Sequence, residues 1–150
     1  MNFKSPCAHV QQQEKECFDI IKGKKALRPH HGMCIQFYEG KGYGEEFTDH
    51  MARVIYDMEK NPLREIVLTD GVDTVCENCP NNKEGMCVDN DKVARYDAGV
   101  LEACGMNNGD IIQYAIFIAF VKEKVIDSGI RKNICGDCEW NYICERKDRL

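Results

Sequence analysis

Cys76-x2-Cys79-x7-Cys87 and Cys135-x2-Cys138-x5-Cys144 place six of the chain's ten cysteines in two matching triplets. A two-residue gap lets a tight turn aim both sulfurs at one point, and a third thiol a few residues on closes round it. Thiolates so arranged suit Zn²⁺ or an iron–sulfur cluster, both of which take tetrahedral, sulfur-rich sites. Reduced cysteines can also be plain core residues, since a buried thiol behaves as a small hydrophobe. That account fits Cys104 but not six cysteines in segments rich in Asn, Asp, Glu and Lys. We therefore expect Cys76, Cys79, Cys87, Cys135, Cys138 and Cys144 to bind metal.

Each triplet supplies three ligands and lacks a fourth. Candidates are Cys34, Cys104, His30, His31 and, in the polar N-terminal stretch, Cys7 and Cys17. A single site drawing one Cys pair from each triplet is an alternative. Cys7-x-His9 is better read as part of an ordinary extension. If Pro29 opens a short helix, His30 and Cys34 are i, i+4 neighbours and His31 and Cys34 are i, i+3 neighbours. Successive helical side chains diverge by about 100°, so one ion takes at most one of the two histidines. Arg28 nearby could balance thiolate charge. The four-cysteine run of bacterial ferredoxins and the plant-type spacing are both absent. Triplets awaiting a distant cysteine favour a cluster over structural zinc. Cys135-Gly136-Asp137-Cys138 also has the form of a dithiol redox turn, although the βαβ setting that would support it is missing.

No other motif competes. Gly40-Lys41-Gly42-Tyr43-Gly44 precedes a helix but lacks the nucleotide-binding patterns, and Glu45 and Glu46 would repel phosphate. The chain has no H-E-x-x-H, no G-x-S-x-G and no Cys-x3-Cys-x2-Cys run.

Elements that could position these groups are legible from periodicity. Phe47, Met51, Val54, Ile55 and Met58 form one apolar stripe on a helix over 45–60, begun by acidic Glu45 and Glu46 and ended by Asn61-Pro62. Ile66-Val67-Leu68 reads as a short buried strand. A second helix is expected over 91–104, with Val93, Tyr96, Val100 and Leu101 inward and Gly105 as its stop. A third, over 110–127, carries a broad apolar surface. Gly32 weakens the short helix after Pro29 by about 1 kcal/mol relative to Ala.

At 150 residues, with 43% hydrophobic and 30% charged residues, the chain suits one globular domain. We divide it into an N-terminal extension, 1–25, and a cysteine-rich metal-binding domain, 26–150. The net charge of −5 disfavours nucleic acid, whose binding draws on cationic contacts to phosphate. No apolar stretch is long enough for a membrane span, and the first residues show no signal-peptide pattern. A cytoplasmic protein with reduced thiols is expected, which favours metal over disulfides.

Leu27-Arg28-Pro29-His30-His31-Gly32-Met33-Cys34-Ile35-Gln36, Gly40-Lys41-Gly42-Tyr43, Glu45-Glu46-Phe47, Cys76-Glu77-Asn78-Cys79-Pro80 with Cys87, and Ile134-Cys135, Cys138, Trp140 and Cys144 occur in this order. In this the chain resembles a family of small bacterial and archaeal proteins catalogued as domain of unknown function 1284 and described as iron–sulfur-binding. The resemblance spans residues 26–146. Gly32-Met33 departs from it where the family reads Leu-Leu. The resemblance implies Cys34 as a seventh ligand and an iron–sulfur metal, but no reaction.

The expected fold is α+β, mainly helical, a small single domain with two cysteine-rich metal-binding loops near one end. The expected function is iron–sulfur binding, of the [4Fe–4S] type, with an electron-transfer or redox-sensing role and a redox protein as partner. The metal ligands would be Cys34, Cys76, Cys79, Cys87, Cys135, Cys138 and Cys144, with His30 or His31 as further candidates. The alternatives are a zinc-stabilised interaction module and a thiol–disulfide oxidoreductase.

Overall fold

Ile66, Val67 and Leu68 are a β-branched and apolar run, and they form the middle of the main sheet. The computed structural model describes residues 24–41, 43–71, 73–83 and 86–148. The expectations for Cys7, His9, Cys17 and nearly all of the 1–25 extension lie outside these residues. Strand β2 (Glu65–Leu68) pairs in parallel with β1 (Lys25–Leu27) and antiparallel with β5 (Ile111–Gln113), giving the order β1-β2-β5. Between β1 and β2 the chain makes α1 (His31–Phe37) and α2 (Glu45–Lys60). After β2 come a 3-10 turn (Val75–Asn78), a small hairpin of β3 (Asn82–Lys83) and β4 (Met86–Cys87), and α3 (Asn90–Cys104). Beyond β5, α4 (Tyr114–Val121) runs into a π-helical turn (Lys122–Ile126), followed by α5 (Arg131–Cys135) and α6 (Asn141–Asp148). The fold is thus α+β and mostly helical.

The helix stripes face one core. Met51, Val54 and Met58 of α2 are buried with Tyr96 and Val100 of α3, Phe117 and Val121 of α4, and Leu27, Ile66 and Leu68 of the sheet. Acidic Glu45 and Glu46 occupy the first turn of α2, where they complement the helix dipole. Gly105 ends α3 in the left-handed conformation, φ 66°, and the amides of Gly105 and Met106 close back onto Glu102 and Leu101.

One helix differs from expectation. The element predicted to start at Asp110 opens as a strand, and helix begins only at Tyr114. Ile111 and Ile112 are β-branched, and they pair with Val67 and Ile66, whose other edge already carries β1. Sheet pairing therefore overrides the helical periodicity of this segment.

Gly32 also has a positive role. A Cβ at this position would lie 2.6 Å from Cε2 of Phe117, a ring with no exposed surface. The missing side chain lets α1 press against α4, and this close contact offsets the low helix propensity.

Candidate metal centre

The stretch Arg28-Pro29-His30-His31 leaves the sheet and enters α1, and both cysteine triplets gather around it. Thr74 fixes the first triplet's loop to β1, its amide and hydroxyl both donating to the Ala26 carbonyl at 3.2 and 3.0 Å. The Arg28 amide donates to Asp73 Oδ2 at 2.6 Å, and the Cys76 amide to Asp73 Oδ1 at 3.1 Å. His50 of α2 supports the same loop through Nε2, 2.7 Å from the Thr74 carbonyl. Asp97 of α3 takes the Arg28 guanidinium at 2.8 Å on Oδ2, with the His30 amide at 3.0 Å on Oδ1.

Each histidine has its own carboxylate. His30 Nδ1 is 2.7 Å from Asp97 Oδ1, and His31 Nδ1 is 2.6 Å from Asp73 Oδ2. The rings do not diverge as they would within a regular helix. His30 precedes the first helical residue, and the ring centroids stand 4.2 Å apart. Burial, then the neighbouring His31, lowers the pKa of His30 to about 4, against the opposing pull of Asp97, so it is neutral at pH 7. For Asp73, burial favours the protonated acid, but His31 and the Arg28 amide outweigh it and hold the carboxyl well below its usual range. Asp97 is likewise opposed by burial and held low by His30 and Arg28.

The second triplet spans a helix–turn–helix. Cys135 ends α5, Cys138 sits in the turn and Cys144 lies on α6. The amide of Cys138 closes onto the Cys135 carbonyl, and the Trp140 amide donates to Cys138 Sγ at 3.4 Å. Arg131, one helical turn before Cys135, reaches its sulfur with Nη1 at 3.5 Å and holds Asn141 at 3.0 Å. Tyr96 and Arg95 of α3 fix the turn through Asp137, at 2.7 and 3.1 Å.

Two cavities separate the thiols into groups. Cys34, Cys135, Cys138 and Cys144 line the larger, of about 160 Å³. Cys76, Cys79 and Cys87 line the smaller, of about 100 Å³. His30 and His31 border both. Tyr43, Phe47 and Trp140 cover the larger cavity in edge-on contact, with ring centroids 5.5 and 5.3 Å apart along that chain. Trp140 is thus part of a cavity wall.

The donor chemistry fits a thiophilic group. Burial pushes the thiol of Cys34 well above its ordinary pKa, as does the charge of its three cysteine neighbours. Burial raises Cys135 and Cys138 too, with Arg131 and the Trp140 amide acting in the opposite sense. Four thiols lining one cavity are costly to ionise in the absence of a cation, and a bound metal would supply that cation. At the smaller cavity, burial raises Cys76 and Cys79, and the amides of Asn81 and Asn82 offset part of this at the Cys79 sulfur. One donor atom each from His31, Asp73 and Cys76 fall within 4.8 Å of one another.

A family model, described as protein of unknown function (DUF1284), matches residues 42–144. The chain belongs to the DUF1284 family. The match includes both triplets, while Arg28, His30, His31 and Cys34 precede it. No curated protein and no solved structure matches the chain. Membership of DUF1284 brings no activity with it. No helix among the described residues is long and apolar enough to cross a membrane.

Sequence spacing pointed to the cysteines and the two histidines. It did not single out Asp73, Asp97, Arg131 or His50. Asp73 stands three residues before Cys76 and Arg131 four before Cys135, spacings that place them on the adjoining turn. Asp97 had no local signal, because its partners lie in a distant segment. Arg28, considered as a counter-charge to thiolates, borders the smaller cavity but gives its guanidinium to Asp97 and Asn90.

Proposed function

We propose that Cys34, Cys135, Cys138 and Cys144 hold an iron–sulfur cluster of the [4Fe–4S] type, and that the protein carries or senses electrons through it. One observation carries this reading. Cys34, far away in sequence, lines the same cavity as all three cysteines of the second triplet. Four thiols round one space are a complete set for such a cluster. When bound, the cluster supplies one-electron chemistry.

The surrounding residues tune and protect that chemistry. Arg131 places positive charge beside the Cys135 sulfur, and the Trp140 amide donates to that of Cys138. Both favour the more negative, reduced state and so raise the potential. Tyr43, Phe47 and Trp140 line the cavity with aromatic surface, while Cys138 and Cys144 remain only partly buried. Electrons can therefore pass to a redox protein docked at that side. The raised pKa values of Cys135 and Cys138 count against a thiol–disulfide enzyme, whose attacking cysteine has a depressed one.

Iron, acid-labile sulfide and the visible spectrum of protein purified without oxygen test the proposal. We expect matching iron and sulfide, a broad brown absorbance, and loss of both in Cys34→Ser. Zinc alone, with no sulfide and no colour, would leave a metal-stapled interaction module. A cluster retained in Cys34→Ser would remove Cys34 from its ligands.

A further inference from the structure

Assigning Cys34 to the larger cavity leaves the first triplet without a fourth cysteine among the described residues near it. Cys76, Cys79 and Cys87 line the smaller, adjoining space, bordered by His31. Asp73 is close to both His31 and Cys76 but is already committed. Its Oδ2 accepts from the Arg28 amide and from His31 Nδ1, and its Oδ1 accepts from the Cys76 amide. It is better suited to orient a ligand than to be one.

The His31 ring supports the complementary role. Nδ1 is held 2.6 Å from a buried carboxylate, an arrangement in which an Nδ1–H imidazole would leave Nε2 to ligate a metal. Among the described residues no hydrogen bond engages Nε2. A carboxylate–imidazole pair of this kind is the usual outer support of a metal-bound histidine. His30 is held by a different residue, Asp97; the donor atoms that close to 4.8 Å among the described residues are those of His31, Asp73 and Cys76, so Cys79 and Cys87 would move in to join His31 and Cys76 on a metal.

We infer that His31, through Nε2, joins Cys76, Cys79 and Cys87 in a second and distinct metal centre, a Cys3His site for one zinc ion, with Asp73 positioning the imidazole. Three thiolates and an imidazole are a standard closed set for structural zinc. The setting agrees. The triplet spans a 3-10 turn anchored by buried Val75 and a hairpin of two-residue strands with Met86 and Val88 exposed, so the hairpin has little core of its own. A metal tying turn to hairpin would supply what apolar burial does not. Zinc keeps one oxidation state, so this centre would hold its loop beside the redox centre without exchanging electrons.

The inference rests on Cys34 belonging to the four-thiol site, and its test reads the two centres separately. Zinc, iron and sulfide are counted in the full chain purified without oxygen. We expect one zinc per chain beside the cluster, with zinc lost and iron and sulfide retained in Cys79→Ser and in His31→Ala. Cys135→Ser should do the reverse. Asp73→Asn should weaken zinc retention against a chelator by about 10–100-fold. Where His31→Ala does not fold, His31→Cys decides. Its cobalt-substituted form should gain sulfur-to-metal charge-transfer absorbance as a fourth thiolate replaces nitrogen. An unchanged cobalt spectrum, or zinc retained in His31→Ala, overturns the ligand. Iron and sulfide both halved in Cys79→Ser would make the centre a second cluster and overturn zinc, leaving the function proposed above intact. Two zinc ions without sulfide would overturn that function, while loss of one of them in His31→Ala would still support His31.

Discussion

Asp97 carries more structural weight than its position in the middle of a helix suggests. Its two oxygens take the Arg28 guanidinium, the His30 amide and His30 Nδ1, all buried. Removing one partner of such a set leaves an uncompensated charge, which costs about 3–5 kcal/mol. Asp97→Asn should therefore lower the unfolding free energy by about that amount, measured by denaturant titration of the metal-loaded protein. A loss below about 1 kcal/mol would mean that water reaches Arg28 and solvates it. Asp73 differs in kind, because its main service is to the imidazole of His31 and the turn before Cys76. Neither aspartate stood out among the 25 acidic residues of the chain. A carboxylate's importance comes from burial beside a cation or imidazole, and that depends on chain segments far apart in sequence.

Among the elements, the helices were legible wherever an apolar stripe ran for several turns. The stripe Phe47, Met51, Val54, Ile55 and Met58 predicted α2 with the observed limits, because burying one face of a long helix determines its period. Ile111–Gln113 was not legible, since three residues fit either period and only a partner strand decides between them. Gly32 shows the same limit in another form. Propensity marks it as a weak point, yet its place against Phe117 makes the absent side chain useful. Gly32→Ala should gain about 1 kcal/mol in helix propensity and lose about 1–3 kcal/mol through overpacking. The expected outcome is a net loss of stability, read as a lower midpoint in thermal unfolding. A higher midpoint would show that the Phe117 ring can turn aside without cost.

At the scale of the whole molecule, the four-thiol centre would tie the chain's beginning to its end. Cys34 lies on α1, next to β1, whereas Cys144 lies on α6. Polar contacts across this junction include Lys147 Nζ, which donates to the Phe37 carbonyl at 2.8 Å, and Arg146, which pairs with Glu39. Buried Ile143 and the edge-on contact of Trp140 with Tyr43 add apolar surface. The β1-β2-β5 sheet with α2, α3 and α4 has instead a continuous apolar core. Metal removal should thus open the molecule unevenly. Amide exchange should become fast in α5 and α6 on chelation while the amides of β2 and α3 stay protected, measured by hydrogen–deuterium exchange. Uniform loss of protection would show that the sheet and helices cannot stand without metal. By itself the sequence determined that there are two thiol triplets, that the surrounding domain is mainly helical, and which faces of α2 and α3 turn inward. These follow from local spacing and periodicity, which a linear chain displays directly. Only the tertiary structure decided that Cys34 lines one cavity with the second triplet, that His31 stands beside the first, and that Asp73 and Asp97 hold the two imidazoles. Those pairings join segments far apart in the chain, and their geometry exists only after the sheet and core have brought them together.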